Sequence, residues 1–371
     1  MGMFCVKETF AYPAKEAGNG HCTLILPIKN TFRAIFVLSG AATFASLTAN
    51  AADDKVYTLK YLHSYPPTLA YYKTTGQGFI ELVERWSNGR IKFEVYETGS
   101  LASVPEMLSA VDAGIIDVSH SWGGFYSGTV PEADVEVGLP LAWQEPWEAY
   151  DAYYHRGLDK IIAEAYESRY NVKHFPAIMG MRYAIHMRQD INGIDDLKGK
   201  KIRAIGLFGK IATNLGASAV SIPGAEVFSS LQLGTIDGLV YGVEAIIAQK
   251  LQEQLKTTIF EPNLNSGVGH WLINRTTWES LPEDLQRVIN DAVQYGNSAH
   301  ALEYAAYEAV TGGEMEKLGV KLLSLSPEDR KKLQDAVLPL WDEIAAKSEL
   351  GAKAVELVRQ QQRDFGQVIE D

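Results

Sequence analysis

The sequence predicts an α/β fold of two lobes, and three observations carry that reading. Strand-like and helix-like segments alternate from residue 56 to residue 237, the pattern that builds a sheet with helices packed on its faces. One stretch recurs: residues 105–117 read PEMLSAVDAGIID and residues 225–237 read AEVFSSLQLGTID. The chain has 371 residues, more than a single core of about 150 residues needs.

Each element follows from its local pattern. Val56 to His63 is rich in β-branched and aromatic residues and runs into Pro66-Pro67, so it predicts a strand and a turn. Phe79, Leu82, Val83 and Trp86 fall on one helical face, and Asn88-Gly89 stops that helix. Ile91, Phe93 and Val95 alternate as a strand. Pro105 suits the first turn of a helix carrying Met107, Leu108 and Val111, which ends at Gly114; Ile115 to Val118 is then a short buried strand. The second block repeats the plan. Arg182 to Met187 is a strand, Asp195 to Gly199 a short turn or helix, and Lys201 to Ile205 a strand. A helix runs to about Leu215, and Ala219 to Pro223 is a strand. These alternations predict a largely parallel sheet. From about Leu281 the chain is helical, with Glu283 and Asp284 in a first turn, where the helix dipole favours acids.

The repeated stretch has functional weight. In both copies a glycine-capped helix leads to a buried strand, and ligands of open α/β sheets bind at the carboxyl ends of strands. Residues just after Asp117 and Asp237 are therefore site candidates.

Composition narrows the function. With 34 basic and 46 acidic residues, the net charge is -12, which argues against a nucleic-acid partner because binding phosphates needs a basic face. The two cysteines, Cys5 and Cys22, lie at the front, so downstream thiol chemistry and cysteine metal sites are excluded. Lys29 and Arg33 precede a short apolar run from Ala34 to Leu47, followed by Ala49-Asn50-Ala51. That is the layout of an export signal cleaved near Ala51, and the run is too short for a bilayer span of about 20 residues. Residues 1–28 precede the basic segment, which suggests that translation starts further in.

No nucleophile elbow, phosphate loop or dinucleotide fingerprint occurs. The histidines at 63, 120, 155, 174, 186, 270 and 300 never stand four apart and read as surface or core residues. No catalytic residue, resident metal or cofactor is expected. Arg182 and Arg203 are different: each sits inside an apolar strand-like run, where arginine is rarely buried without a partner. A salt bridge or a snorkelling side chain would explain either one alone. Two of them on neighbouring strands suggest an anion site, because a guanidinium fork matches a carboxylate.

Further residues carry a family resemblance. Gly199-Lys200-Lys201-Ile202-Arg203, Leu215-Gly216-Ala217, and Glu226-Val227-Phe228 through Leu231-Gln232, Gly234 and Ile236-Asp237-Gly238 closely resemble the solute receptors of tripartite ATP-independent periplasmic (TRAP) transporters. Phe79, Glu81-Leu82-Val83, Ser87 to Ile91, Gly99-Ser100-Leu101 and Ile273-Asn274 through Trp278 to Leu281-Pro282 match as well. The resemblance implies a two-lobed periplasmic binding protein fold, with a cleft between the lobes and long C-terminal bracing helices. It places the first lobe at 52–180, with about 268–308 returning to it. The second lobe is 181–267 with about 309–371, and residues 1–51 are the extension and signal. It implies capture of a small-molecule carboxylate in the periplasm and delivery to TRAP permease subunits, with no chemistry on the ligand.

Arg203 matches the family's carboxylate-clamping arginine and Arg182 a second, assisting one. Val240 stands where keto-acid receptors have a glutamate that helps hold a cation, which argues against a metal-bridged ligand. Tyr241 takes a ligand-facing position, and Gly224 replaces the aromatic residue of sugar-acid receptors, enlarging the pocket. With Phe208, Trp122, Phe125 and Tyr65 completing the site, an apolar or aromatic acid is expected over a polyhydroxy one. The alternatives are a secreted enzyme on the same scaffold, or the binding component of a sensor or an ATP-driven importer.

Overall fold

The computed structural model describes residues 55–367 apart from Pro66, Thr68, Ala70 and Pro223. The predicted export signal and both cysteines lie outside the described residues. In chain order the first strands and helices are β1 (Tyr57–His63), α1 (Gly78–Trp86), β2 (Ile91–Tyr96), α2 (Met107–Asp112) and β3 (Val118–Ser121). Short helices α3 (Ala133–Glu136) and α4 (Pro146–Tyr150) lead to α5 (Leu158–Glu167) and the long strand β4 (Val172–Met187). The second block is β5 (Lys201–Arg203), α6 (Leu207–Asn214), β6 (Ser218–Val220), α7 (Val227–Leu233), β7 (Gly238–Gly242) and α8 (Val243–Ala248). After β8 (Thr257–Glu261), β9 (Ser266–Asn274) and α9 (Arg275–Ser280) come α10 (Glu283–Lys317), β10 (Lys321–Ser324), α11 (Pro327–Ala345) and α12 (Glu349–Asp364).

The strand order is β2-β1-β3-β9-β4-β7-β5-β6, with β8 pairing β4 and β10 pairing β8. The outer triplets β2-β1-β3 and β7-β5-β6 are parallel, as the alternation predicts. The centre differs from the prediction: β3–β9, β9–β4 and β4–β7 are antiparallel. The expected strand beginning at Arg182 is the second half of β4, which pairs β9 from Val172 to Arg182 and β7 from Tyr183 to Met187. One strand thus crosses both halves of the sheet. The strand expected at Ile115 starts at Val118 instead; Ile115 is exposed on the turn after Gly114.

The ladder of β4 and β9 breaks between Ile178 and Met181. Gly180 occupies that break with φ +65, and a Cβ there would lie 2.9 Å from Pro146, so the bend needs glycine. Asn297 from α10 bonds β4 just before that break. Its Oδ1 accepts from the Ile178 amide and its Nδ2 donates to the Pro176 carbonyl, both at 2.8 Å. Buried backbone groups are thereby satisfied beside the interrupted ladder. The α10 helix packs on β4, α4 and α1 of the first half and on α8 and β10 of the second.

The C-terminal helices α11 and α12 pack on each other. Helix α11 packs on α6, and α12 packs on α5 and α3. The sequence reading kept both with the second lobe. Buried Gln361 of α12 accepts from Trp143 Nε1 at 2.9 Å and donates to the Glu148 carbonyl at 2.7 Å. No helix among the described residues is long and apolar enough to cross a membrane.

Candidate ligand-binding site

The two strand ends that the repeat singles out, those of β3 and β7, lie beside the ends of β1 and β5. Tyr65 follows β1, Trp122 follows β3, Arg203 ends β5 and Tyr241 lies near the end of β7. Tyr65, Tyr71, Met181 and Ala245 form a buried cluster against which Trp122, Tyr183 and Tyr241 pack. Parallel strands end there with helices following, so backbone and side chains open toward one space.

Arg203 is buried, at 7% exposure. Its Nε donates to the Ile222 carbonyl at 3.1 Å, and its guanidinium carbon lies 5.1 Å from the centre of the Tyr241 ring. No carboxylate among the described residues lies within ion-pair distance of it. Burial pushes its pKa down, and Tyr241 and Tyr183 partly offset that; a guanidinium stays charged regardless. A buried cation with only a carbonyl and a ring face beside it is incompletely compensated.

Arg182 has its own set of partners, and the strand order corrects its expected place beside Arg203. Strand β7 lies between β4 and β5, so the two arginines are not on neighbouring strands. Arg182 Nη1 donates to the Phe260 carbonyl and to Glu261 Oε1, each at 3.0 Å, and Nη2 is 3.9 Å from Glu145. Its guanidinium also lies 4.7 Å from the Phe260 ring centre. Side chains alternate along a strand, and it is Tyr183 that reaches the Arg203 side, stacking on Phe208 with ring centres 4.8 Å apart. The sequence reading missed Tyr183; strand parity from Arg182 could have found it.

The remaining candidates divide. Phe208 is buried at the start of α6 and shares a pocket with Trp122. Phe125 is 41% exposed and packs edge-on against Trp122, so it supports that ring from outside. Tyr65 is buried against Tyr71 and His120, with ring centres 4.5 and 5.3 Å apart. Tyr241 accepts from Gln249 at 3.2 Å. A Cβ on Gly224 would lie 3.4 Å from the Tyr241 hydroxyl, so glycine there gives that ring its room. Val240 is buried in the core.

One further group of ionisable residues stands out in the first half. Glu136, His174 and His270, all buried, bring their side-chain ligand atoms within 4.8 Å of one another. Glu136 Oε1 accepts from His174 Nε2 at 2.8 Å and His270 Nδ1 at 2.7 Å, and Oε2 accepts from the Tyr166 hydroxyl at 2.5 Å. Burial alone would raise the Glu136 pKa, but the two histidines outweigh it and hold it at about 2. The second nitrogens, His174 Nδ1 and His270 Nε2, have no partner. Metal-bound imidazoles donate that second N–H to an acceptor, and neither second nitrogen has one among the described residues. The trio is therefore a hydrogen-bonded core network.

Comparison with known proteins agrees with the architecture. The family model of bacterial extracellular solute-binding protein, family 7 (DctP), matches residues 62–348. A monocarboxylate 2-oxoacid-binding periplasmic protein of Nostoc is 27% identical over 76% of this chain and 78% of its own. The 2,3-diketo-L-gulonate-binding periplasmic protein of Escherichia coli is 24% identical over 70% of this chain and 78% of its own. Among solved structures, a TRAP periplasmic solute binding protein from Pseudoalteromonas atlantica, with bound sodium and pyruvate, superposes with a TM-score of 0.76. It shares 22% identity, over 84% of this chain and 96% of that one.

Proposed function

The chain belongs to the DctP family of TRAP-type solute-binding proteins, and from that premise we propose that it captures a small organic monocarboxylate and hands it to a TRAP membrane permease. The observation that carries this reading is Arg203, a buried guanidinium at a strand end with no acid beside it among the described residues. A ligand carboxylate supplies the missing charge, bidentately, in a site whose walls are Tyr183, Tyr241, Phe208 and Trp122. Lobe closure over the ligand follows from differential contact: the closed form gains the carboxylate–Arg203 pair that the open form lacks.

The relatives' ligands support the class. Pyruvate is bound in the Pseudoalteromonas protein, and pyroglutamic acid in a Bordetella pertussis receptor that superposes with a TM-score of 0.72. Both are small monocarboxylic acids. The relatives' periplasmic names and the basic-apolar segment ending at Ala51 support a protein that works outside the cytoplasm after cleavage. The lobes we assign are 52–180 with 268–308, and 181–267 with 309–345, with α12 returning to the first.

A thermal-shift panel tests the reading. Small monocarboxylates raise the melting temperature; at a hundredfold excess over Kd the stabilisation is about 2.7 kcal/mol. Stabilisation by sugar acids alone, with none from monocarboxylic or aromatic acids, would sink it.

A further inference from the structure

Between Trp122 and Phe208 lies a narrow pocket of about 20 Å³, room for one water-sized group. It joins both halves of the molecule: Trp122, Ser127 and Asp134 come from the first, and Gly206, Leu207, Phe208 and Asn265 from the second. It is next to the site described above, because Phe208 stacks on Tyr183 and the Asn265 carbonyl accepts from the Tyr183 amide at 3.2 Å.

Its polar lining combines acceptors on Asn265, Asp134 and Ser127 with one buried donor, Trp122 Nε1, that has no partner among the described residues. Asn265 is 1% exposed and its Oδ1 has no hydrogen-bond partner. The amide is held in that orientation because Nδ2 donates to the Val137 carbonyl at 2.8 Å. Gly138, which also lines the pocket, keeps the oxygen clear: a Cβ there would stand 2.2 Å from Oδ1. Asp134 is buried, with Oδ1 accepting from Ser127 Oγ at 2.7 Å and Oδ2 from Lys347 Nζ at 2.6 Å. Each carboxylate oxygen keeps a second lone pair, and the Ser127 oxygen can still accept. A buried acceptor without a donor costs free energy, so the Asn265 side of the pocket is built to receive a donor.

We propose that this pocket is a ligand subsite for a hydrogen-bond-donating terminus, an ammonium or a hydroxyl, carried by the acid whose carboxylate meets Arg203. The inference rests on the receptor reading and narrows it, from monocarboxylates in general to those ending in one small donor. The donor reaches Asn265 Oδ1 and the Asp134–Ser127 pair, while the chain between the two ends lies along Tyr183 and Phe208.

Calorimetry on the mature protein tests it with linear acids of two to five methylenes, ending in methyl, hydroxyl or ammonium. At one chain length the donor-ended acid binds roughly tenfold or more tightly than the methyl-ended one. Asn265→Leu shrinks that ratio to about threefold or less, since an apolar group then faces the donor. Preference for ammonium shows that the ligand feels the Asp134 charge, and preference for hydroxyl that Lys347 neutralises it; both support the subsite. Equal or tighter binding of methyl-ended acids overturns the subsite alone. If no acid binds at any length, the receptor reading falls and the subsite with it. Should Asn265→Leu fail to fold, Ser127→Ala serves in its place: a smaller ratio supports the subsite, and an unchanged one overturns it.

Discussion

In the first half of the sheet Asp117 accepts from the Lys60 amide at 2.9 Å, and in the second half Asp237 accepts from the Lys201 amide at the same distance. Gly114 and Gly234 cap the preceding helices with the same φ of +72. The frames therefore match to the level of single hydrogen bonds. The buried charges do not. In the first half, Glu136 is held by two histidines and a tyrosine. In the second, Arg203 has one carbonyl and a ring. A buried charge surrounded by donors contributes to folding, whereas one left short of partners is available for a ligand.

Four measurements press on that contrast. The largest effect is on stability. Glu136→Leu lowers unfolding free energy by about 3–5 kcal/mol in denaturant titration, because three buried donors lose their acceptor. Arg203→Leu changes it by less than about 1 kcal/mol or raises it, since no acid partner is left behind. Equal losses would erase the distinction.

Arg182→Met comes next. It breaks contacts to Glu261 and Phe260, and a cost of about 1–3 kcal/mol is expected, while affinity for the best acid in the panel changes by less than about threefold. A loss of affinity as large as that of an Arg203 variant would return Arg182 to the site.

Acid is the third lever. Burial lowers the pKa of His63 to about 3, and those of His186 and His300 to about 4. The unfolded chain takes up protons from about pH 6.5 that these folded sites refuse. Stability is therefore fully present above pH 6.5 and falls as the pH drops toward 4 and 3; Glu136, held at about 2, extends the loss below its ordinary range. Urea midpoints that stay flat from pH 7 to 4.5 would contradict this.

The smallest effect tests the matched frames. Gly114→Ala and Gly234→Ala each place a Cβ at positive φ and should each cost about 1 kcal/mol. Near-equal losses by thermal melting support equivalent caps; a several-fold difference would show that only one helix depends on its cap.

Much of this was legible in the residues because local patterns decide it. Phe79 to Trp86 shows a helical period, β1 and β2 show strand character, and the two glycine-capped helices share letters because they share geometry. The centre was not legible. Strand β9 is buried along its whole length, so it shows no alternation, and β4 carries Pro176 and Gly180 within its run, residues that ordinarily weaken a strand. Arg203 stood out as a charge in an apolar strand. Arg182 stood out equally, and only the three-dimensional partners Glu261 and Glu145 separate the two. Glu136 drew no notice, although Glu132, Asp134 and Glu136 alternate through an otherwise apolar segment, a weak sign of acids with internal partners.

The most direct test of the central claim compares one acid with its own amide. Calorimetry with the tightest monocarboxylate from the panel and the matching carboxamide, on the wild-type protein and on Arg203→Ala, isolates the charge pair from everything else in the site. The account predicts that the wild type prefers the acid by roughly a hundredfold or more, as for a desolvated charge pair broken from one side. It predicts that Arg203→Ala, still folded, loses nearly all of that preference. An undiminished preference in Arg203→Ala would show that the carboxylate is held elsewhere.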